Sequence, residues 1–214
     1  MAIGRMKVKS SEILIRKRDL EIILQGIPAH PTPKVELEQY TVPADLAAHI
    51  LFQACYTFRD IQGRSIVDLG TGTGRLALGA MMLGAQSLVG IDIDLESLQS
   101  ARFSSKKLGL KTDWVLGDIA SLHGLFETVL MNPPFGTKRL HSDVEFLRVA
   151  LNIGRVIYSI HKSSTISFLS RWLRDQNANC EAIMETRMPI EHQFAFHTRK
   201  RYCVKVHVIR IQPQ

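Results

Sequence analysis

The stretch that decides the fold class is residues 65–74, Ser-Ile-Val-Asp-Leu-Gly-Thr-Gly-Thr-Gly. A short apolar strand leads to Asp68, and the glycines after it allow a tight turn into a helix. Glycine also lets a ligand approach the backbone, because no Cβ stands in the way. By itself the loop is ambiguous. Residues 72–77 also fit the dinucleotide pattern G-x-G-x-x-A, and a tight turn that binds nothing would look the same.

Outward from this loop, short apolar runs alternate with helical segments, which predicts a parallel sheet with helices on both faces. The predicted strands are Ser65–Val67, Ser87–Ile91, Asp113–Leu116, Thr128–Met131 and Val156–Ile160. The predicted helices between them cover residues 76–83, 95–108, 143–153 and 164–174. Each strand delivers a polar residue at its end, namely Asp68, Asp92, Asp118, Asn132 and His161. Ligands of open α/β sheets bind at that edge, so these side chains predict the site.

The two ends of the chain differ from this alternating pattern. We predict a helix from Ser11 to Gln25, an extended connector containing Pro28, Pro31 and Pro33, and a helix from Ala44 to Tyr56. Residues 202–211 alternate apolar and polar side chains, which predicts a late, half-exposed strand. The whole chain, 1–214, is predicted to be one domain with an N-terminal helical extension over residues 1–43.

Composition limits the class of partner. The 214 residues are 45% hydrophobic and 22% charged, with a net charge of +7. Such a charge favours a polyanionic partner, although a basic surface kept for solubility would give the same number. Cys55, Cys180 and Cys203 are far apart and form no CxxC pair, which argues against a disulfide framework and predicts a reducing cytoplasm. No apolar run approaches the ~20 residues that span a bilayer.

The acidic strand ends predict an adenosine-containing ligand. Asp92 can accept both hydroxyls of a ribose, in either S-adenosylmethionine or NAD. Asp118 can accept from the exocyclic amine of an adenine while Ile119 packs on its ring, although an acid at this place could equally cap the turn. Asp68 suits the positive amino group of a methionine moiety and repels a pyrophosphate. This favours a methyl donor over NAD.

Asn132-Pro133-Pro134-Phe135 follows the fourth strand and decides the reaction class. Two prolines stiffen the backbone and remove two N–H donors, so carbonyl oxygens and the Asn132 amide oxygen can converge as acceptors. Acceptors that hold both N–H bonds of an exocyclic amine localise its lone pair and stabilise the charge that develops on nitrogen. Phe135 would offer a flat face to the target base. A proline turn with a core phenylalanine is the structural alternative.

Four stretches together resemble a known family: residues 37–40 (Leu-Glu-Gln-Tyr), 68–74, 131–138 (Met-Asn-Pro-Pro-Phe-Gly-Thr-Lys) and 161–164 (His-Lys-Ser-Ser). The chain resembles, over nearly its whole length, the methyltransferase-like protein five family and its archaeal relatives, which methylate adenine N6 in small-subunit ribosomal RNA. The resemblance implies a Rossmann-like class I methyltransferase fold, with a seven-stranded, mostly parallel, doubly wound sheet and an antiparallel C-terminal strand. It also implies S-adenosylmethionine as cofactor and catalysis by Asn132, Pro133, Pro134 and Phe135.

The resemblance and the strand-end pattern together give a predicted donor site. Its residues are Gln39, Tyr40, Thr41, Asp68, Gly70, Thr73, Gly74, Arg75, Asp92, Ile93, Asp118 and Ile119. Residues 39–41 lie between the proline-rich connector and a helix, so they could fold over the donor as a lid. Val42 stands where eukaryotic members carry a threonine that contacts the donor, so that hydroxyl contact is missing here unless Thr41 replaces it.

The remaining predictions concern macromolecules. Basic residues near the strand ends and before the last strand are predicted to contact RNA phosphates: Lys138, Arg139, His161, Lys162, Arg199, Lys200 and Arg201. No companion ligands are spaced near His161, so no metal site is predicted. The resembling family uses a small zinc-binding activator protein. We expect its counterpart along the third strand, which should be a sheet edge carrying an exposed Trp114.

Four other functions remain open from the sequence. The Asn-Pro-Pro-aromatic chemistry also serves methyltransferases of glutamine N5 in proteins and of amino groups in DNA. An NAD-dependent oxidoreductase would leave Asn132 to Phe135 unexplained. A non-catalytic nucleic-acid-binding module would keep the donor site without turnover.

Overall fold

The computed structural model describes residues 15–135, 142–191 and 201–214, which form a seven-stranded sheet with helices around it. The strands are β1 (Ser65–Leu69), β2 (Ser87–Asp92), β3 (Asp113–Leu116), β4 (Phe126–Met131), β5 (Gly154–Lys162), β6 (Ala178–Glu191) and β7 (Arg201–Pro213). Their order across the sheet is β3-β2-β1-β4-β5-β7-β6. The first five strands are parallel, and β7 pairs antiparallel with β5 on one side and β6 on the other. The predicted fold class is confirmed.

Six helices connect and cover the described strands. They are α1 (Lys17–Gln25), α2 (Ala44–Phe52), α3 (Arg75–Met82), α4 (Leu95–Leu108), α5 (Ser142–Ile153) and α6 (Ile166–Asp175). The limits of α4 follow from its sequence. Asp94 caps its N-terminus by accepting from the Ser97 N–H at 3.1 Å, and Gly109 ends it in the left-handed conformation with φ of 68°. The predicted bounds of this helix and of β3 are confirmed.

The hydrophobic core lies in two clusters on opposite faces of the sheet. One cluster joins α1, α2 and α3 through side chains such as Leu20, Leu51 and Leu78, all 0% exposed. The helices approach closely here, because a Cβ on Gly79 of α3 would lie 2.4 Å from Leu51 Cδ1. The second cluster lies under α5 and α6 and includes Leu147. Helix α1 therefore packs into the same core as the sheet.

Several predicted boundaries differ from the structure. Asp68 and His161 lie inside β1 and β5 rather than after them. Helix α2 ends at Phe52 and continues as one π-helical turn over Gln53–Thr57. Strand β6 was not predicted from the residue pattern. The predicted start of the first helix lies outside the described residues. No helix in the described part of the chain has the length and apolar character needed to cross a bilayer.

Candidate active site

The carboxyl ends of β1, β2 and β4 open into a cavity of about 550 Å³. Eleven of the predicted donor residues border it: Gln39, Tyr40, Thr41, Asp68, Gly70, Thr73, Arg75, Asp92, Ile93, Asp118 and Ile119. Two residues of the predicted catalytic loop, Asn132 and Pro134, border the same cavity. The structure therefore brings the two predicted constellations together in one place.

The glycine loop turns its backbone towards this cavity. Gly70 and Gly72 have φ of 64° and 56°, a region that favours glycine. No described heavy atom lies within 4 Å of a Cβ placed on Gly72, so the space beside it is open to a ligand. On the other side, a Cβ on Gly70 would come 3.0 Å from the ring of Phe146 in α5. The loop thus has one open flank and one packed flank.

Two buried carboxylates are fixed by the loop itself. Asp68 Oδ2 accepts from the Thr71 hydroxyl at 2.8 Å and from the Ala77 N–H at 3.1 Å. Asp92 Oδ2 accepts from the Gly72 N–H at 2.8 Å, and its Oδ1 accepts from the Asp94 N–H at 2.9 Å. Burial raises the pKa of Asp92, and it raises the pKa of Asp68 to about 7. A cation placed beside them would favour their ionised forms.

Residues 36–42, which include the predicted lid residues 39–41 and are called the lid segment below, also line the cavity. The connector before the lid segment is tied to the start of α4, because His30 Nε2 and Lys34 Nζ each lie 2.5 Å from the Asp94 carboxylate. Arg75 ties both ends of this region to α3 by donating to the carbonyls of Ile27 and Val42 at 2.6 Å. The guanidinium of Arg75, predicted as a donor contact, is thus engaged in anchoring the lid segment.

The predicted catalytic loop, Asn132–Phe135, is held by hydrogen bonds to the lid segment. The Asn132 amide nitrogen donates to the Tyr40 carbonyl at 3.1 Å, which fixes the orientation of the amide. Its oxygen, Oδ1, is buried and has no hydrogen-bond partner among the described residues. Three residues further on, the Phe135 N–H donates to Glu38 Oε2 at 2.8 Å. The loop therefore presents one buried acceptor that a ligand could satisfy.

The ring of Phe135 is covered in this structure. Phe135 is 8% exposed, and Tyr40 stacks beside it with ring centroids 6.2 Å apart and planes at 23°. The Lys162 ammonium lies 5.3 Å from the Phe135 centroid, at cation–π distance. The expectation that Phe135 presents an open face is therefore wrong for this conformation. A base could stack on it only if the Lys162 side chain or the Tyr40 ring moved.

Two predicted site residues have structural roles instead. His161 is 1% exposed, its Nε2 lies 2.7 Å from Ser159 Oγ, and burial lowers its pKa to about 3. A buried, neutral histidine cannot contact phosphate, so that prediction is wrong. Gly74 does not border the cavity. With φ of 81°, it makes room for Trp114, whose Cη2 would lie 2.8 Å from a Cβ at this position.

The remaining predicted RNA contacts are only partly placed. Lys162 is half-buried at the end of β5. Lys138, Arg139, Arg199 and Lys200 lie outside the described residues, and Arg201 begins β7 with its side chain outside the description.

Strand β3 is the sheet edge, as predicted, but Trp114 is not its exposed residue. In the register of the sheet Trp114 lies opposite Gly90 of β2, where a Cβ would come 2.3 Å from its ring. Its Nε1–H donates to Ser105 Oγ of α4 at 3.3 Å. The exposed apolar side chains of this edge are Val115 and Leu116, which are 37% and 55% exposed.

Several residues of the site were not predicted. They are His30, Lys34, Glu38, Asp94, Ser142, Glu145, Phe146, Arg148 and Val149. Glu38 lies in the stretch 37–40 that carries the family resemblance, and Asp94 lies two residues after Asp92. Both could therefore have been predicted from the sequence. Phe146 and its neighbours on α5 carried no pattern beyond ordinary helical periodicity.

Comparison with known proteins agrees with this geometry. The model of the methyltransferase small domain family matches residues 43–152. An uncharacterised protein of Methanocaldococcus jannaschii is 37% identical over 93% of this chain and 95% of its own. The Drosophila melanogaster rRNA N(6)-adenosine-methyltransferase Mettl5 is 35% identical over 92% and 97%. The crystal structure of a candidate RNA methyltransferase from Pyrococcus horikoshii superposes with a TM-score of 0.86 at 33% identity, covering 94% of this chain and 99% of its own.

Proposed function

This chain belongs to the methyltransferase small domain family, and we propose that it transfers a methyl group from S-adenosylmethionine to N6 of an adenine in small-subunit ribosomal RNA. The observation that carries the proposal is the Asn132 amide oxygen, a buried acceptor without a described partner in the wall of the cavity. An exocyclic amine offers N–H donors, one of which would satisfy this acceptor. The named Drosophila relative supports adenine in RNA over glutamine in protein.

The cavity fits S-adenosylmethionine. Its volume of about 550 Å³ falls within the ~300–1,000 Å³ usual for small-molecule sites. Besides Asn132 Oδ1, the hydroxyl oxygen of Thr73 is buried in its wall without a partner among the described residues. The bound donor supplies a methyl group on a positively charged sulfur. In this site the carboxylate of Asp92 would accept from the ribose hydroxyls, Asp118 would accept from the adenine amine, and Asp68 would face the methionine ammonium.

On the acceptor side, the loop Asn132–Phe135 acts by holding hydrogen-bond acceptors in fixed positions. Because its nitrogen is held by the Tyr40 carbonyl, the Asn132 amide points its oxygen away from that bond. The oxygen accepts an N6–H of the target adenine and stabilises the positive charge that develops on nitrogen during transfer. Pro133 and Pro134 keep the loop extended and contribute no competing N–H donor. No strong base is required, because the methylated amine is acidic enough to lose a proton to water.

Nucleoside mass spectrometry of ribosomal RNA tests the proposal. RNA from cells that lack the gene should lose N6-methyladenosine from the small subunit, and the purified chain with S-adenosylmethionine should restore it in a fragment of that RNA. Transfer to a glutamine-containing protein substrate, with none to RNA, would replace this function by the protein-methylating one.

We also propose a protein partner on the β3 edge, a small zinc-binding activator of the type used by the resembling family. Support comes from the unpaired outer side of β3 and from the exposed Val115 and Leu116 beside it. Across the β2–α4 turn, Ile93 and Leu95 are 54% and 52% exposed and extend this apolar surface. If the chain alone is monomeric, soluble and fully active on ribosomal RNA, and Leu116→Lys changes nothing in cells, the partner is excluded.

The location that goes with this function is the cytoplasm, where ribosomal RNA is accessible and thiols stay reduced.

A further inference from the structure

Glu38 is an acidic residue buried in the lid segment. It is 6% exposed and its backbone is left-handed, with φ of 48°. Its Oε2 accepts from the Phe135 N–H at 2.8 Å, across 97 residues of sequence. A carboxylate is costly to bury without a hydrogen bond, and a left-handed backbone is costly for a residue with a Cβ. Such a combination persists only where the surrounding contacts hold it, which points to a specific role for the side chain.

The lid segment grips the catalytic loop at two points. Besides the bond from Phe135 to Glu38, the Asn132 amide donates to the Tyr40 carbonyl at 3.1 Å. The two lid residues that make these hydrogen bonds are themselves joined, because the Tyr40 N–H donates to the Glu38 carbonyl at 2.8 Å. Both ends of Asn132–Phe135 are therefore held by three consecutive residues that also border the donor cavity.

The charge next to the Phe135 ring belongs to the same arrangement. Burial lowers the pKa of Lys162, and the carboxylates of Glu38 and Asp143 oppose that shift. The ammonium over the Phe135 ring is thus stabilised by the charge of two carboxylates, one of which also accepts from the Phe135 N–H.

We infer that Glu38 is a positioning residue that couples the lid over the methyl donor to the geometry of the catalytic loop. The inference rests on the proposed function. With the carboxylate in place, an ordered lid holds Phe135 and keeps the Asn132 oxygen aimed into the cavity. Without it, the donor site remains, since Asp68 and Asp92 are fixed by the glycine loop and not by the lid. The loss should therefore fall on turnover rather than on donor affinity.

Three substitutions at Glu38 separate the acceptor atom from the charge. Glu38→Ala removes the acceptor but keeps a Cβ, so the left-handed backbone is equally strained before and after. Glu38→Gln keeps an acceptor oxygen at the same reach without the charge. Glu38→Asp keeps the charge but is one methylene too short to reach Phe135. Glu21→Ala is the matched control, because it removes the side chain of a glutamate that lies on α1 and does not border the cavity.

Single-turnover methylation of a ribosomal RNA fragment gives the first readout. Glu38→Ala and Glu38→Asp should slow transfer by at least tenfold, with the dissociation constant for S-adenosylhomocysteine within threefold of wild type. Glu38→Gln should recover the rate to within threefold, and Glu21→Ala should match wild type. A wild-type rate for Glu38→Ala, or a Glu38→Gln variant as slow as Glu38→Asp, overturns the inference.

Hydrogen exchange of the Phe135 amide gives a second readout that needs no RNA substrate. With ¹⁵N-phenylalanine labelling, the nine phenylalanines give a signal set small enough to assign. S-adenosylhomocysteine should slow Phe135 exchange in wild type and Glu38→Gln but not in Glu38→Ala. If wild type methylates no RNA but shows this coupling, the proposed function fails and the role of Glu38 stands. If wild type shows no slowing on ligand binding, the role of Glu38 fails, whatever the substrate.

Discussion

The methyl-donor half and the acceptor half of the cavity are each fixed by hydrogen bonds, and the sequence separation of the bonded residues differs between the two halves. On the donor side, the bonds that fix Asp68 and Asp92 join residues 2, 3, 9 and 20 positions apart. On the acceptor side, the bonds that fix Asn132 and Phe135 reach 92 and 97 residues back along the chain. The unit β1–α3–β2 is enough to build the first half, whereas the second exists only once the N-terminal segment has packed against the sheet.

This difference predicts separable defects. Changes on the acceptor side should alter turnover with little effect on donor affinity, and changes on the donor side should do the reverse. Asn132 Oδ1 has no partner among the described residues, whereas the carboxylates of Asp68 and Asp92 each already accept two N–H or O–H groups.

The largest effect is expected at Asn132. Asn132→Ala removes the acceptor aimed at the developing charge, and losing one such preorganised group typically costs ~10²–10³ in turnover. Donor affinity should stay within a few-fold, because Asn132 makes its bond to Tyr40 and not to the glycine loop. Asn132→Asp retains an acceptor oxygen and should be more active than Asn132→Ala. Single-turnover methylation of a ribosomal RNA fragment measures both, and a wild-type rate for Asn132→Ala would contradict the mechanism.

At Asp92 we expect a smaller effect, which falls on donor affinity rather than on turnover. Asp92→Ala should cost roughly 2–3 kcal/mol of donor binding, the range for hydrogen bonds to a charged group. This corresponds to a roughly 30–150-fold weaker affinity. Calorimetric titration with S-adenosylhomocysteine gives the value, with thermal unfolding as a control because Asp92 also accepts from Gly72 and Asp94. An unchanged affinity in a folded variant would remove Asp92 from the donor site.

The smallest effect is a pH dependence at Asp68. Burial raises its pKa to about 7, above the ordinary 3.8. Between these values the folded state binds more protons than the unfolded state, so this group lowers the free energy of unfolding as pH rises across that window. Donor binding has the opposite sign, because a cationic ammonium favours the ionised carboxylate.

The measurement is donor affinity as a function of pH. Affinity should fall by up to about tenfold for each pH unit below about 7, the slope for release of one proton on binding. Asp68→Asn should bind more weakly at pH 8 and show a flat profile. A flat profile in wild type would place the methionine ammonium elsewhere.

Most of the parallel sheet follows from the sequence, because each strand contains a short apolar run with a polar residue at or near its carboxyl end. Strand β6 does not, and its geometry shows why. Its register shifts between Ala182 and Met184, so the apolar face changes sides partway along the strand. Ala178 packs into the cluster under α5 and α6, whereas Met188 packs into the cluster of α1 to α3. A strand that faces two cores has no continuous period of two to recognise.

The candidate site, too, was predicted only in part from the sequence. The glycine loop, Asp92 and Asp118 lie at or just after strand ends, so chain order groups them, whereas residues 39–41 were predicted from the family resemblance. The contacts of His30 with Asp94 and of Glu38 with Phe135 join positions 64 and 97 residues apart, and nothing in the local pattern connects them. For His161, the strand-end rule was misleading. The strand extends one residue beyond it to Lys162, which leaves the histidine inside the sheet.

The seating of Trp114 on Gly90 has a consequence for the outer edge of the sheet. A slip of β3 by one residue would turn the indole to the opposite face. A slip by two would set it against a residue with a side chain, where no room for the ring exists. Only one alignment of β3 is therefore compatible with its neighbour. The outward-facing backbone N–H and C=O groups of β3 therefore have fixed positions along this edge. The absence of a Cβ on Gly90 of the neighbouring strand β2 sets those positions.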